Sequence, residues 1–172
     1  HRWTPLIRGT LGLHAGAVLG VALQPQAWPW ALGLVAANHA VLTAAGLWPR
    51  SSLLGPNWTR LPPAAAARRQ IAITIDDGPD PEVTPRVLDI LERHDARATF
   101  FCIGERAARH AALCERIVRA GHGIENHSQH HRHSFSLLGP RGYAREIEAG
   151  QRTIAHITGR APRFFRAPAG LR

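Results

Sequence analysis

Between Arg8 and Arg50 the chain carries no Asp, Glu, Lys or Arg, and no other feature limits its folding choices so strongly. A charge-free stretch of that length has to bury itself in protein or in lipid. "QPQ" at Gln24 to Gln26 divides it into two apolar blocks. The second, Ala27 to Trp48, is about 33 Å long as a helix, enough for a hydrocarbon core of about 30 Å. Trp28 and Trp30 stand at one end and Trp48 at the other, where an interfacial aromatic belt places them. Asn38 and His39, near its middle, favour a neighbouring helix. The first block, Leu11 to Leu23, is short for a span, and gains length by taking in Leu6 and Ile7 with Arg8 snorkelling. Residues 1–50 are expected to be a membrane anchor of one or two helices, with a buried soluble hairpin as the competing reading. A hairpin puts Arg2 and Arg8 on the side of Arg50, Arg60, Arg68 and Arg69, the cytoplasmic side by the positive-inside rule, whereas a single span reverses the following domain.

The formal charge is +9 and every one of the 21 basic residues is Arg. The arginines are scattered, with no basic stripe interleaved with aromatics, so no nucleic-acid partner is expected and membrane-proximal charge accounts for the excess. Met is absent and the chain begins at His1, which reads as an internal fragment. Cys102 and Cys114 make no disulfide framework and read as small buried hydrophobes.

Residues 51–69 form a linker rich in turn formers, "SSLLGPNWTRLPPAAAA" and the two arginines after it. Residues 70–172 then alternate strand and helix patterns. Ile71 to Ile75 is a predicted strand. Thr84-Pro85 opens a helix to about His94, with Thr84 as N-cap. "ATFFCIG" is a second strand, Ala107 to Ala120 a second helix, "HGIEN" a third strand, Gly142 to Thr158 a third helix and "RFFRAP" a fourth strand. The alternation implies a parallel β/α architecture with reactive groups at the carboxyl ends of its strands.

Three clusters stand at those ends: Asp76-Asp77, "ENHSQHH" from Glu125 to His131, and "RAPAG" from Arg166 to Gly170. His127 and His131 are spaced so that one helical turn would put both on one face. Two imidazoles and a carboxylate suit zinc or a similar divalent ion with open positions for water and substrate. Adjacent aspartates then divide the work, one ligating the ion and the other free as general base for water. His130 is an alternative ligand to His131. His94, His110, His122 and His156 read as surface or structural.

"TIDDGPDPEVTPRVLDIL", "ATFFCIG", "GHGIENHSQHH" and "FFRAPAG" occur in the order and spacing of the polysaccharide deacetylase family, which the chain resembles from Gln70 to Arg172. The resemblance implies an incomplete (β/α) barrel and metal-dependent removal of N-acetyl groups from an amino-sugar polymer or a lipid-linked sugar, with deformylation or O-deacetylation as competing chemistries. A non-catalytic glycan-binding relative is a further alternative. It implies Asp76 as base, Asp77, His127 and His131 as ligands of one divalent ion, most simply zinc, and Arg166 as the group orienting Asp76. Ser128 would brace the loop, and the backbone N–H of Ala169 would bind the oxyanion. Three departures concern the substrate: Ala169 stands where an aromatic is usual, Arg132 where proline is common, and Ile75 where phenylalanine is frequent. The family's later segments, with the general-acid histidine, have no counterpart before Arg172, so about half a barrel and weak or no activity are expected of this polypeptide alone. The anchor adds the inner membrane of a bacterium as expected location.

Overall fold

The computed structural model describes residues 3–56, 60–135 and 138–168. The chain divides into two units between Arg60 and Leu61.

In the first unit, α1 (Pro5–Leu23) begins where the Thr4 hydroxyl accepts the Ile7 N–H and Pro5 takes the first turn. The helix takes in Leu6, Ile7 and Arg8, which gives it the length its apolar block lacks. A 3-10 turn over Pro25–Ala27 leads into α2 (Trp28–Leu47). The helices return antiparallel: Thr10 donates to Asn38 Oδ1 at 3.1 Å, and the His14 and His39 rings meet edge to face at 5.2 Å. Both helices are long and apolar enough to cross a membrane, and their apolar side chains lie largely uncovered by protein.

The second unit opens on the short α3 (Pro63–Ala67), which the alanine run forms inside the predicted linker. Three parallel strands follow, β1 (Ile73–Gly78), β2 (Ala98–Cys102) and β3 (Gly123–Asn126), in the order β1-β2-β3. The central strand β2 is almost wholly buried, as the unbroken run "ATFFC" requires of a strand covered on both faces. Between the strands lie α4 (Val83–Arg93), α5 (Gly104–Arg109) and α6 (Ala111–Arg119), and α7 (Gly139–Thr158) follows β3. Leu88, Leu91, Phe100, Cys114, Ile117 and Ile154 form the core, with Ile73 and Ile75 packed against it. The Cys102 and Cys114 thiols are free and buried there. Contact with Cys114 and burial push the Cys102 thiol well above its ordinary range.

Sequence expectations change at several points, and α7 starts at Gly139, three residues before the predicted Gly142. The N-cap position of α4 is Glu82, not Thr84; the first N–H groups, of Glu82 and Val83, are accepted by Asp80 Oδ1, while Thr84 lies inside the helix with its hydroxyl on the Asp80 N–H. The predicted helix at Ala107 to Ala120 is two helices broken at His110. β1 starts at Ile73, two residues late. The predicted strand "RFFRAP" is reduced to a single parallel bridge between Phe165 and Asn126.

Candidate metal centre

The two aspartates sit on a defect in β1. Ile75 pairs with Phe100 and Gly78 with Cys102, so β1 carries one residue more than β2 across that step. A regular strand points consecutive side chains to opposite faces; a bulge re-aims one of them. Asp77 takes the strain at φ +66°, a left-handed conformation that Asp tolerates better than most residues. Arg106 of α5 holds it there by donating to the Asp77 carbonyl at 2.7 Å.

The histidine loop leaves β3 through Asn126. Its Oδ1 accepts the Ser128 N–H at 2.9 Å and its Nδ2 donates to the Ile147 carbonyl at 2.8 Å. Ser128 and His131 lie at φ +69° and +50°, and the Ser128 hydroxyl accepts the His131 N–H at 3.0 Å. The spacing of His127 and His131 therefore works through a tight loop with two left-handed residues, where the sequence predicted a helical turn.

Both imidazoles converge on Asp77. Its Oδ1 lies 3.3 Å from His127 Nε2 and 3.1 Å from His131 Nε2. The three ligand atoms are within 4.8 Å of one another. Donors around an ion with bonds of about 2.1 Å stand roughly 3.0 Å apart at right angles and roughly 3.4 Å apart at tetrahedral angles. The two separations from Asp77 Oδ1 fall in that range.

Hydrogen bonding at His127 decides what the gap suits. Its Nδ1 lies 2.8 Å from the Arg166 carbonyl, which can only accept, so Nδ1 carries the hydrogen. With Nδ1 taken up by that carbonyl, Nε2 is the ring atom turned toward the Asp77 carboxylate, and as a lone-pair donor it would share a cation with that oxygen. A divalent ion fits this donor set, and the Nδ1–H to carbonyl bond is the kind that orients a metal-binding histidine.

Asp76 belongs to a different contact. Arg166 Nη1 donates to its Oδ1 at 2.6 Å and to Thr74 Oγ1 at 3.1 Å, and the Arg166 guanidinium carbon sits 4.1 Å from the Phe101 ring centroid. Arg166 is placed by buried Glu125, whose Oε2 accepts the N–H groups of Arg163 and Phe164 at 2.6 and 2.7 Å. The Arg166 N–H then bonds the Asn126 carbonyl. Thus Asp76, Asp77, His127, His131 and Arg166 come together, while Ala169 lies outside the described residues.

His130 points to a separate partner: its Nδ1 is 2.8 Å from Glu146 Oε1. Burial pushes the Glu146 carboxyl up, but hydrogen bonds from His130 and the charges of His130 and Arg132 outweigh it and hold the group below its ordinary value. Sequence reasoning passed over Glu146, as it did Asn126, Thr74 and Arg106. The signal for Glu146 was present, since the buried residues of α7 are Gly142, Glu146, Gly150 and Ile154, four apart. A carboxylate in such a stripe needs a partner.

A family model described as polysaccharide deacetylase matches residues 64–172. The chain belongs to the polysaccharide deacetylase family. Within it, the chain is 37% identical over 103 residues to a peptidoglycan-N-acetylglucosamine deacetylase of Bacillus cereus, covering 60% of this chain and 37% of the relative. It is 42% identical over 101 residues to a chitooligosaccharide deacetylase of Azorhizobium caulinodans, covering 58% of this chain and 48% of the relative. Its structure resembles that of a family 4 acetyl xylan esterase from Clostridium thermocellum in complex with a cobalt ion, with a TM-score of 0.53 and 38% identity over 56% of this chain and 47% of the other. The chain spans about half or less of the length of these polysaccharide deacetylase relatives.

Proposed function

We propose that residues 61–171 are part of a metal-dependent carbohydrate N-deacetylase on an incomplete (β/α) barrel, carried on a membrane anchor formed by α1 and α2. The observation that carries this reading is the meeting of two imidazole nitrogens with Asp77 while a second carboxylate, Asp76, stays outside the donor set on Arg166. Asp77, His127 and His131 hold a divalent ion, zinc by donor preference. When bound, that ion supplies Lewis-acid polarisation of the acyl carbonyl and lowers the pKa of water. Asp76 takes the proton from the attacking water, and Arg166 fixes the Asp76 carboxylate for that transfer. One water is consumed, and an amine and acetate leave.

The substrate is an N-acetylated amino-sugar polymer or a lipid-linked sugar at a bacterial inner membrane. Two relatives named for peptidoglycan and chitooligosaccharide support the sugar class. A second reading, release of O-linked acetate, is favoured by the likeness to an acetyl xylan esterase, because the same ion and base serve either acyl linkage.

The test is acetate release from N-acetylchitooligosaccharides by the whole polypeptide that carries this sequence, beside Asp76→Asn. Loss of the base should lower kcat by about 10²–10⁴-fold with the bound ion retained. Unchanged turnover in Asp76→Asn refutes the assignment of the base. Release from acetylated xylan alone moves the reading to the ester.

A further inference from the structure

His131 lies between two residues that are tied to one carboxylate. Glu146 of α7 is buried. Its Oε2 accepts the His130 backbone N–H at 3.0 Å, and its Oε1 accepts from His130 Nδ1 at 2.8 Å. The same Oε1 lies 3.3 Å from Arg132 Nε. Among the described residues, every polar partner of Glu146 is in the segment 130–132. A carboxylate is withdrawn from water only where donors replace the lost hydration, and here one short segment supplies all of them.

On its far side the segment is also tied where the Phe135 N–H bonds the Arg132 carbonyl at 2.9 Å and the buried Phe135 ring meets Tyr143, which leaves Glu146 as the side-chain clamp across residues 130–132 themselves. His131 is a non-glycine residue at φ +50°, a conformation that persists only where its surroundings hold it. No proline follows it, and among the described residues its own N–H is held by the Ser128 hydroxyl alone. The ring is aimed at Asp77, so a backbone rotation at residue 131 would swing Nε2 away from Oδ1. The helix behind the loop comes close enough to reach it because residue 150 is glycine: a β-carbon there would lie 3.0 Å from the Ser128 carbonyl carbon.

We infer that Glu146 is a positioning residue for the metal centre: by gripping residues 130 and 132 it fixes the His131 backbone so that Nε2 stands ready beside Asp77. This rests on the reading of Asp77, His127 and His131 as ion ligands. Glu146 stands outside the donor set of Asp77, His127 and His131. It acts through the loop, as groups behind metal ligands do, and their loss typically weakens binding by about 10–100-fold.

The experiment is a Co(II) titration of the whole chain, read by visible absorption and by competition with a chelator, in wild type, Glu146→Gln and Ile154→Val. Glu146→Gln keeps the shape and replaces an acceptor oxygen with a donor that meets the loop's own donors. Ile154→Val removes a buried methyl group from the same helix, so it controls for loss of stability alone. The expected result is Co(II) affinity about 10–100-fold weaker in Glu146→Gln, with an altered absorption band, and unchanged in Ile154→Val. Equal affinity in wild type and Glu146→Gln overturns the positioning role and leaves the metal centre standing. Equal weakening in Ile154→Val also overturns it, by showing that stability alone moves the affinity. Wild type that binds no Co(II) overturns the metal centre and the positioning role together. Should Glu146→Gln fail to fold, His130→Ala on the half-exposed loop replaces it: a drop of at least about 3-fold supports the inference, and wild-type affinity refutes it.

Discussion

Gly150→Ala separates the structure from helix propensity by the sign of its effect. In the interior of an isolated helix, alanine for glycine is stabilising by about 1 kcal/mol. At residue 150 the added methyl would lie 2.5 Å from Asn126 Oδ1 and 3.1 Å from the Ser128 carbonyl oxygen. Neither neighbour can yield cheaply. Asn126 is fully buried, and its two amide atoms hold the Ser128 N–H and the Ile147 carbonyl; the Ser128 contact is backbone in the left-handed region. Overpacking of this kind costs about 1–3 kcal/mol, and straining one buried hydrogen bond adds about 1 kcal/mol. Set against the propensity gain, the net loss is about 2 kcal/mol. At about 4–8 °C per kcal/mol for a domain near this size, Tm falls by roughly 10 °C. A thermal melt followed by circular dichroism, on wild type and variant in the same detergent, reads it directly. A variant that melts at or above the wild-type temperature refutes the close approach of α7 to the histidine loop.

His122 should make stability pH-dependent. Its ring packs on Phe100 at 5.8 Å, and burial first, then the Arg97 charge, lower its pKa from the ordinary 6.5. Below about pH 6.5 the unfolded chain takes up a proton that the folded chain refuses, so the contribution is full above that pH and is lost as pH falls through the folded value. The urea midpoint should therefore fall between pH 8 and pH 5 more steeply in wild type than in His122→Phe; parallel slopes contradict this. Alkaline carbonate extraction of membranes should leave the chain in the pellet, and release into the supernatant rejects the anchor.

The parts legible in the sequence are those whose physics is local. A charge-free double block, a β-branched run ending in two carboxylates and a pair of histidines before a helix each announce themselves within a few residues. What escaped depends on distant partners. The helix break at His110 carries no proline or glycine, and α5 is set against α7 by tertiary packing. Asp80 and Thr84 can both accept the first N–H groups of a helix, and only the path of the turn after Pro79 hands that task to Asp80. The left-handed residues Ser128 and His131 reverse the chain where spacing alone suggested a helical turn. Glu146 and Asn126 read as ordinary polar residues because their partners lie 16 and 21 positions away.

If Asp77, His127 and His131 form the metal centre, together they hold one ion. Elemental analysis of the purified chain after equilibration with Zn(II), beside Asp77→Ala and His131→Ala, tests it most directly. One divalent ion per wild-type chain and none in either variant is the expected result. A wild-type chain that retains no ion, or variants that retain it fully, would contradict it.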